Sequence, residues 1–211
     1  MTRNTSLHCF LLLAFACFPT AWTLNIVIPG GSGKLGTLVA SKLSPSHDVT
    51  ILTRNAFLAS APARVTEVFG YVGESFLRKH PNVSLRDWDG GDLLDIVGCD
   101  WMGWQEDTLK KADVVVNLVG GYTEQRTMAT ERIVRESLTA NPTALQISVT
   151  PREEDLPVIS PGMPTMKKKR LKDCEDMVEA NCQNSVCLRL ECNNLEKSCE
   201  EIIKSIESIS S

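Results

Sequence analysis

Three glycines in one short stretch carry the clearest chemical signature of this sequence. Gly30, Gly33 and Gly36 follow G-x-x-G-x-x-G spacing, and Gly31 with the last two also satisfies G-x-G-x-x-G. Glycine permits a tight turn and lets the backbone approach a pyrophosphate, while a following helix N-terminus offers N–H groups to the phosphates. The alternative is a tight turn without a ligand. The spacing favours a dinucleotide-binding turn made of Gly30, Gly31, Ser32, Gly33, Lys34, Leu35 and Gly36.

A second position bears on which dinucleotide such a turn would hold. An NAD-selective site places Asp or Glu near the end of the second strand, where it binds the ribose 2′-hydroxyl. Here the sequence offers Thr53, Arg54 and Asn55, with no carboxylate. A guanidinium suits a 2′-phosphate, and Lys34 adds a second positive charge. The sequence therefore predicts NADP(H) in preference to NAD(H), the alternative being that Arg54 is a solvated loop residue.

These residues require a strand, a turn and a helix to position them. Residues 24–28 form a buried-strand pattern, and apolar residues then recur at helical spacing up to Leu43. Further strands are predicted at 48–53, 82–86, 113–119, 144–149 and 186–190, and helices at 62–79, 105–112, 124–138, from 167 onward and from 195 onward. This alternation predicts one Rossmann-type α/β domain over 24–211: a doubly wound parallel sheet of about six strands, in the order 3-2-1-4-5-6.

Together these motifs make residues 24–192 resemble atypical or extended short-chain dehydrogenase/reductases of the epimerase-like branch. The matching stretches are the glycine turn, Gly91-Asp92-Leu93, Ala112 to Gly120, and the strand that ends near Ser148. The resemblance implies that the glycine turn holds a pyrophosphate and that Asp92 contacts the adenine. It also implies that Val119 and Gly120 lie against the cofactor.

The catalytic pattern of that family is missing. Its members carry a Tyr four residues before a Lys, which lowers the phenol pKa for proton transfer. This sequence has only Tyr71 and Tyr122, and Met163 stands four residues before Lys167. Tyr122 and Ser148 are the best remaining catalytic candidates. Two hypotheses follow: an NADP(H)-dependent oxidoreductase or epimerase of an unknown small molecule, or an inactive NADP-binding module that senses redox state or binds a partner.

The first 21 residues have the pattern of a targeting segment. Cys9 to Phe18 is an apolar block too short to span a bilayer, and Ala14-Phe15-Ala16 and Ala21 are candidate cleavage sites. We expect entry into the secretory pathway or a targeted organelle, with no membrane span in the mature chain. The alternatives are a hydrophobic extension of a cytoplasmic protein and import into a plastid.

Composition excludes some functions. A net charge of −4 and 6% aromatic residues argue against a nucleic-acid-binding protein. None of the eight cysteines forms a C-x-x-C pair, so zinc-ligand and thioredoxin-type spacings are absent. We expect the cysteines near the C-terminus to be buried thiols, with disulfides in an oxidising compartment as the alternative. The oligomeric state does not follow from the sequence.

Overall fold

The structure is a computed structural model that describes residues 22–62, 72–88, 103–119, 125–155 and 168–208. Its centre is a parallel sheet of six strands in the order β3-β2-β1-β4-β5-β6, which confirms the predicted fold and strand order. The strands are β1 Asn25–Pro29, β2 Asp48–Thr53, β3 Val83–Asp87, β4 Val114–Asn117, β5 Leu145–Pro151 and β6 Ser185–Leu190.

Helices connect the strands and cover both faces of the sheet. They are α1 Lys34–Leu43, α2 Ala56–Ala59, α3 Glu74–Lys79, α4 Trp104–Asp107, α5 Gln125–Ala140, α6 Lys168–Asn181 and α7 Leu195–Glu207, with short 3₁₀ turns at Leu109–Lys111 and Glu153–Asp155. The predicted helix over 62–79 ends at Lys79 as expected, but it is interrupted before Glu74. Gly73 has φ 142°, a conformation closed to a helix, so α3 begins only at Glu74.

The core lies on both faces of the sheet because successive side chains of a strand point to opposite sides. One face packs against α1 and α7 through Ile26, Ile28, Val39, Ile51, Ile202 and Ile206. The other face packs under α4 and α5 through Val27, Leu52, Trp104, Val115 and Ile133. The strands are thus buried on both sides, as a parallel sheet with crossover helices requires.

All six strands run in the same direction, so their carboxyl ends meet at one edge of the sheet. In such sheets ligands bind in the crevice beside this edge, where the strand order reverses. That reversal lies between β1 and β4. Among the described helices, none has the length and apolar character to cross a membrane. The predicted leader, residues 1–21, falls outside the described part of the chain.

Candidate functional site

Two glycines of the turn after β1 are required by the fold itself. Gly30 has φ 72°, and a Cβ there would lie 2.7 Å from the Cα of Val119, just after β4. A Cβ on Gly36 would lie 2.3 Å from the carbonyl oxygen of Gly31. The chain reverses direction tightly at this turn, where the backbone N–H of Gly31 donates to the carbonyl of Ile28 at 3.1 Å. Side chains at positions 30 and 36 would therefore push the turn away from β4 and α1 away from β1.

Gly33 is different because nothing in the described structure requires a glycine there. It is the N-cap of α1 with φ −77° and ψ 177°, an extended conformation that any residue adopts. A Cβ at this position would meet no described atom within 4 Å, and no side chain caps the helix. The turn thus opens the N-terminus of α1 to empty space. Such a terminus presents N–H groups and a positive dipole end, which together suit a phosphate.

The open side of the turn borders a cavity of about 320 Å³. It lies along the carboxyl ends of β1, β4, β5 and β6 and the start of α7. Its lining comprises Gly30, Gly33, Lys34, Leu35, Gly36, Leu118, Arg126, Val149, Thr150, Pro151, Leu190, Glu191, Cys192 and Leu195. The cavity therefore covers the crevice between β1 and β4 and continues toward β6, in the second half of the sheet.

A buried carboxylate supports the β5 side of this cavity. Glu175 of α6 accepts hydrogen bonds from the Thr150 hydroxyl at 2.7 Å and from Arg189 Nε and Nη2 at 3.0 and 2.6 Å. Burial alone would raise the pKa of Glu175, but the hydrogen bonds from Arg189 and Thr150 outweigh it and lower that pKa. Glu175 is therefore ionised at neutral pH, and the hydroxyl hydrogen of Thr150 is directed toward it.

The loops after β5 and β6 are tied together at the rim of the cavity. Arg152 Nη1 lies 2.5 Å from Glu191 Oε1, which also accepts from Lys197 Nζ at 2.9 Å. The backbone N–H of Cys192 donates to Asp155 Oδ2 at 3.0 Å. The hydrogen bond from Lys197 is the main cause of the lowered pKa of Glu191. Partial desolvation and the nearby Asp155 carboxylate raise the pKa of the Cys192 thiol, although the residue as a whole is exposed. The rim thus presents an ion-paired carboxylate and a protonated thiol.

Arg126 is the cavity residue that sequence reasoning missed. The helical pattern of 124–138 predicts it on the exposed face together with Arg132, yet both are more than nine-tenths buried. A guanidinium nitrogen of Arg126 donates to the backbone carbonyl of Val149 in β5. Helical periodicity places a residue on a face but does not show that a neighbouring strand end lies over the first turn of α5. The prediction of exposure is therefore wrong for these two arginines.

The structure brings together only some of the residues predicted from the sequence. The glycine turn, with Lys34 and Leu35, lines the cavity, and Val119 contacts Gly30. Arg54 is exposed at the end of β2, outside the cavity lining. Asp92, Gly120 and Tyr122 lie outside the described residues.

Ser148 lies in the middle of β5 and is 3% exposed, between Gln146 and Thr150 on the strand face that packs toward α5 and α6. It is absent from the described cavity lining, whereas Thr150 belongs to it.

The tryptophans and cysteines have structural positions. Trp88 and Trp104 are buried and pack edge to face, with ring centroids 5.7 Å apart. The cysteines in the described part are free thiols, three of them buried (Cys174, Cys182 and Cys199), with Cys187 partly buried and Cys192 exposed. No cluster of potential metal ligands occurs among the described residues. The cavity between β1 and β6 is therefore the candidate site.

Comparison with known proteins relates this chain to others through structure. A scan of known protein families and a search of curated proteins find no match to the sequence. Among solved structures, the Bordetella bronchiseptica enzyme WbmH in complex with NAD⁺ matches over 80% of this chain and 56% of its own, with TM-score 0.51 and 15% identity. A short-chain dehydrogenase/reductase from Veillonella parvula matches over 80% of this chain and 69% of its own length, with TM-score 0.52 and 15% identity.

NmrA, a negative transcriptional regulator in complex with NADP, matches over 78% of this chain and 44% of its own, with TM-score 0.51 and 13% identity. The chain thus spans roughly half of the length of WbmH and of NmrA. These likenesses concern the architecture, since the identities are low. The chain has a Rossmann-type fold, and these solved structures share its architecture.

Proposed function

We propose that this chain binds a nicotinamide dinucleotide and belongs to the short-chain dehydrogenase/reductase-like proteins. The observation that carries the proposal is Gly33, whose missing side chain faces open space at the uncapped N-terminus of α1. A ligand backbone passing over this position accounts for a glycine that the fold does not need. The solved relatives support the same ligand class, because WbmH is in complex with NAD⁺ and NmrA with NADP.

We further propose that NADP(H) is preferred to NAD(H). Arg54 is exposed directly after β2, the position from which a dinucleotide site contacts the ribose. No carboxylate occupies positions 53–55, and Lys34 is exposed at the first position of α1. Both cations suit a 2′-phosphate, which a hydroxyl-binding Asp or Glu would repel.

The enzymatic version of the proposal is an oxidoreductase or epimerase of a small molecule. The nicotinamide would supply hydride transfer, and the dinucleotide would run from the glycine turn into the cavity beside β4 and β5. Tyr122 and Ser148 are the proton-transfer candidates proposed from the sequence, but Ser148 is 3% exposed and absent from the described cavity lining. Thr150 joins them because it lies in the cavity lining at the end of the same strand as Ser148.

A second candidate function is a non-catalytic, NADP-binding module. The observation in its favour is that the described polar groups at this end of the cavity already have structural partners. Thr150 donates to Glu175, and Glu191 is paired with Arg152 and Lys197. NmrA, a transcriptional regulator in complex with NADP, is a precedent for a non-enzymatic role on this fold.

Calorimetric titration of the purified chain with NADPH and with NADH tests the cofactor proposal. We expect saturable binding of NADPH and weaker binding of NADH. The proposal fails if neither cofactor binds, and equal affinities remove the stated preference. The cofactor-saturated chain is then incubated with panels of small aldehydes, ketones and nucleotide sugars. Oxidation of the reduced nicotinamide, followed by absorbance, supports the enzyme. An epimerase leaves the cofactor unchanged overall, so the nucleotide sugars are also analysed by NMR for epimerised products. A stable cofactor together with unchanged substrates favours the module.

A further inference from the structure

Arg126 brings a buried positive charge to the cavity beside β5. It is 9% exposed, belongs to the cavity lining and is the second residue of α5. Its guanidinium is oriented by a hydrogen bond to the carbonyl of Val149. Burying a guanidinium costs free energy, so an arginine is retained at such a position when it serves a structural or a ligand-binding purpose.

The described part of the cavity lining has a positive balance of charge. Its cations are Lys34 and Arg126 and its anion is Glu191. The charge of Glu191 is offset by Arg152 and Lys197, which lie beside it. In addition, α1, α5 and α7 all begin at this edge of the sheet and direct the positive ends of their dipoles toward it. A ligand group that carries negative charge is therefore the one that this lining favours.

The position of Arg126 separates it from the phosphate-binding turn. The turn follows β1 and touches the end of β4 through the contact of Gly30 with Val119. Arg126 instead contacts β5, one strand farther from the turn. A dinucleotide pyrophosphate over the N-terminus of α1 is served by the turn itself, so Arg126 faces what lies beyond it.

We propose that Arg126 binds an anionic oxygen group, a carboxylate or a phosphate, of the substrate or regulatory ligand that occupies the cavity next to the nicotinamide. The proposal rests on the proposed cofactor function and adds to it the chemical class of the second ligand. A planar guanidinium presents two parallel N–H groups that match either anion. One contact of this kind contributes about 10- to 100-fold to a dissociation constant.

The test uses inorganic phosphate and malonate as probes of the full chain saturated with NADPH, read by the fluorescence of the bound nicotinamide and by calorimetry. We expect saturable binding of at least one anion, weakened about 10- to 100-fold in Arg126→Gln and less in Arg126→Lys, which keeps the charge. The matched control is Arg135→Gln, an exposed arginine on the same helix paired with Glu136. It should leave the anion affinity unchanged. Thermal unfolding of each variant shows whether it remains folded. If Arg126→Gln does not fold, the anion affinity of Arg126→Lys provides the test instead.

Two outcomes would overturn the proposal. One is the absence of saturable anion binding by the wild-type chain in the presence of NADPH. The other is an Arg126→Gln variant that loses NADPH affinity while its anion binding is intact, since Arg126 would then serve the cofactor. NADPH binding is measured separately, and anion titrations are repeated without cofactor. A chain that binds anions through Arg126 but not NADPH would remove the proposed cofactor function alone.

Discussion

Replacing Gly33 by alanine should abolish most cofactor binding while leaving the fold intact. The new Cβ would meet no described atom within 4 Å, and the backbone angles of −77° and 177° suit any residue. Alanine is a poorer N-cap than glycine by about 0.5–1 kcal/mol, but it gains about as much by restricting the unfolded chain. The free energy of unfolding should therefore change by less than about 1 kcal/mol.

The same methyl group would occupy the space that we propose for the pyrophosphate. We expect a loss of about 2 kcal/mol in cofactor binding, or roughly 30-fold in the dissociation constant. The matched variant is Gly36→Ala, whose Cβ would lie 2.3 Å from the Gly31 carbonyl oxygen and 2.4 Å from its Cα. Because backbone atoms cannot yield there, α1 must shift, and we expect a destabilisation of about 3 kcal/mol or more.

Urea unfolding and calorimetric titration with NADPH, made on both variants and the wild type, measure the two effects separately. The expected result is a Gly33→Ala protein that is stable but binds weakly and a Gly36→Ala protein that is unstable. Wild-type affinity in Gly33→Ala would refute the assignment of the turn as a phosphate site. A large loss of stability in that variant would refute the claim that position 33 is sterically free.

Three further changes probe the surroundings of the cavity. Arg54→Ala should weaken the binding of NADPH by about 1–3 kcal/mol and the binding of NADH by much less. Titration with both cofactors tests this, and an equal loss of affinity for the two would contradict it. Thr150→Val removes a hydroxyl that donates to Glu175 at 2.7 Å, so it should lower the free energy of unfolding by about 1–2 kcal/mol. Urea unfolding measures this change, and a change below about 0.5 kcal/mol would contradict the prediction. The lowered pKa of Glu175 contributes stability that is complete above its unfolded pKa of about 4.3 and is lost as the pH falls through the folded value. Urea unfolding is therefore measured from neutral to acidic pH, and the free energy of unfolding should fall less in Glu175→Gln than in the wild type. Identical pH profiles would count against the buried ion pair.

The architecture was predictable because each strand of this fold is buried on both faces. Such strands appear as short runs of β-branched residues, and the one at Asp48–Thr53 has the predicted bounds. The order 3-2-1-4-5-6 was predicted from the glycine turn after β1, because that turn is typical of the doubly wound sheet with this order. The predicted helix over 62–79 is interrupted at Gly73 for a local reason, since this glycine takes a positive φ that apolar periodicity does not reveal.

The candidate site was predictable only where glycine spacing has a local meaning. The turn at Gly30 to Gly36 is one continuous segment, so its geometry is encoded in its own sequence. Arg126 and Thr150 instead enter the site through contacts between distant segments. A helical pattern shows that Arg126 is off the main apolar face, but only the packing of α5 against β5 buries it.

The alternation of side chains along β5 explains why its cavity chemistry is confined to the strand end. Gln146 donates to Ser137 of α5 at 2.6 Å and Thr150 donates to Glu175 of α6 at 2.7 Å, so the even-numbered residues face the helices. Ser148 lies between them, under that helical layer, and only the last three residues of β5 reach the cavity. In the proposed cofactor complex, reacting groups from this part of the sheet would therefore come from the end of β5, such as Thr150, or from residues that follow the strands. The loops after β5 and β6 are joined there by the Arg152–Glu191 ion pair and by the hydrogen bond from the Cys192 N–H to Asp155, so a substitution in one loop should also change the position of the other.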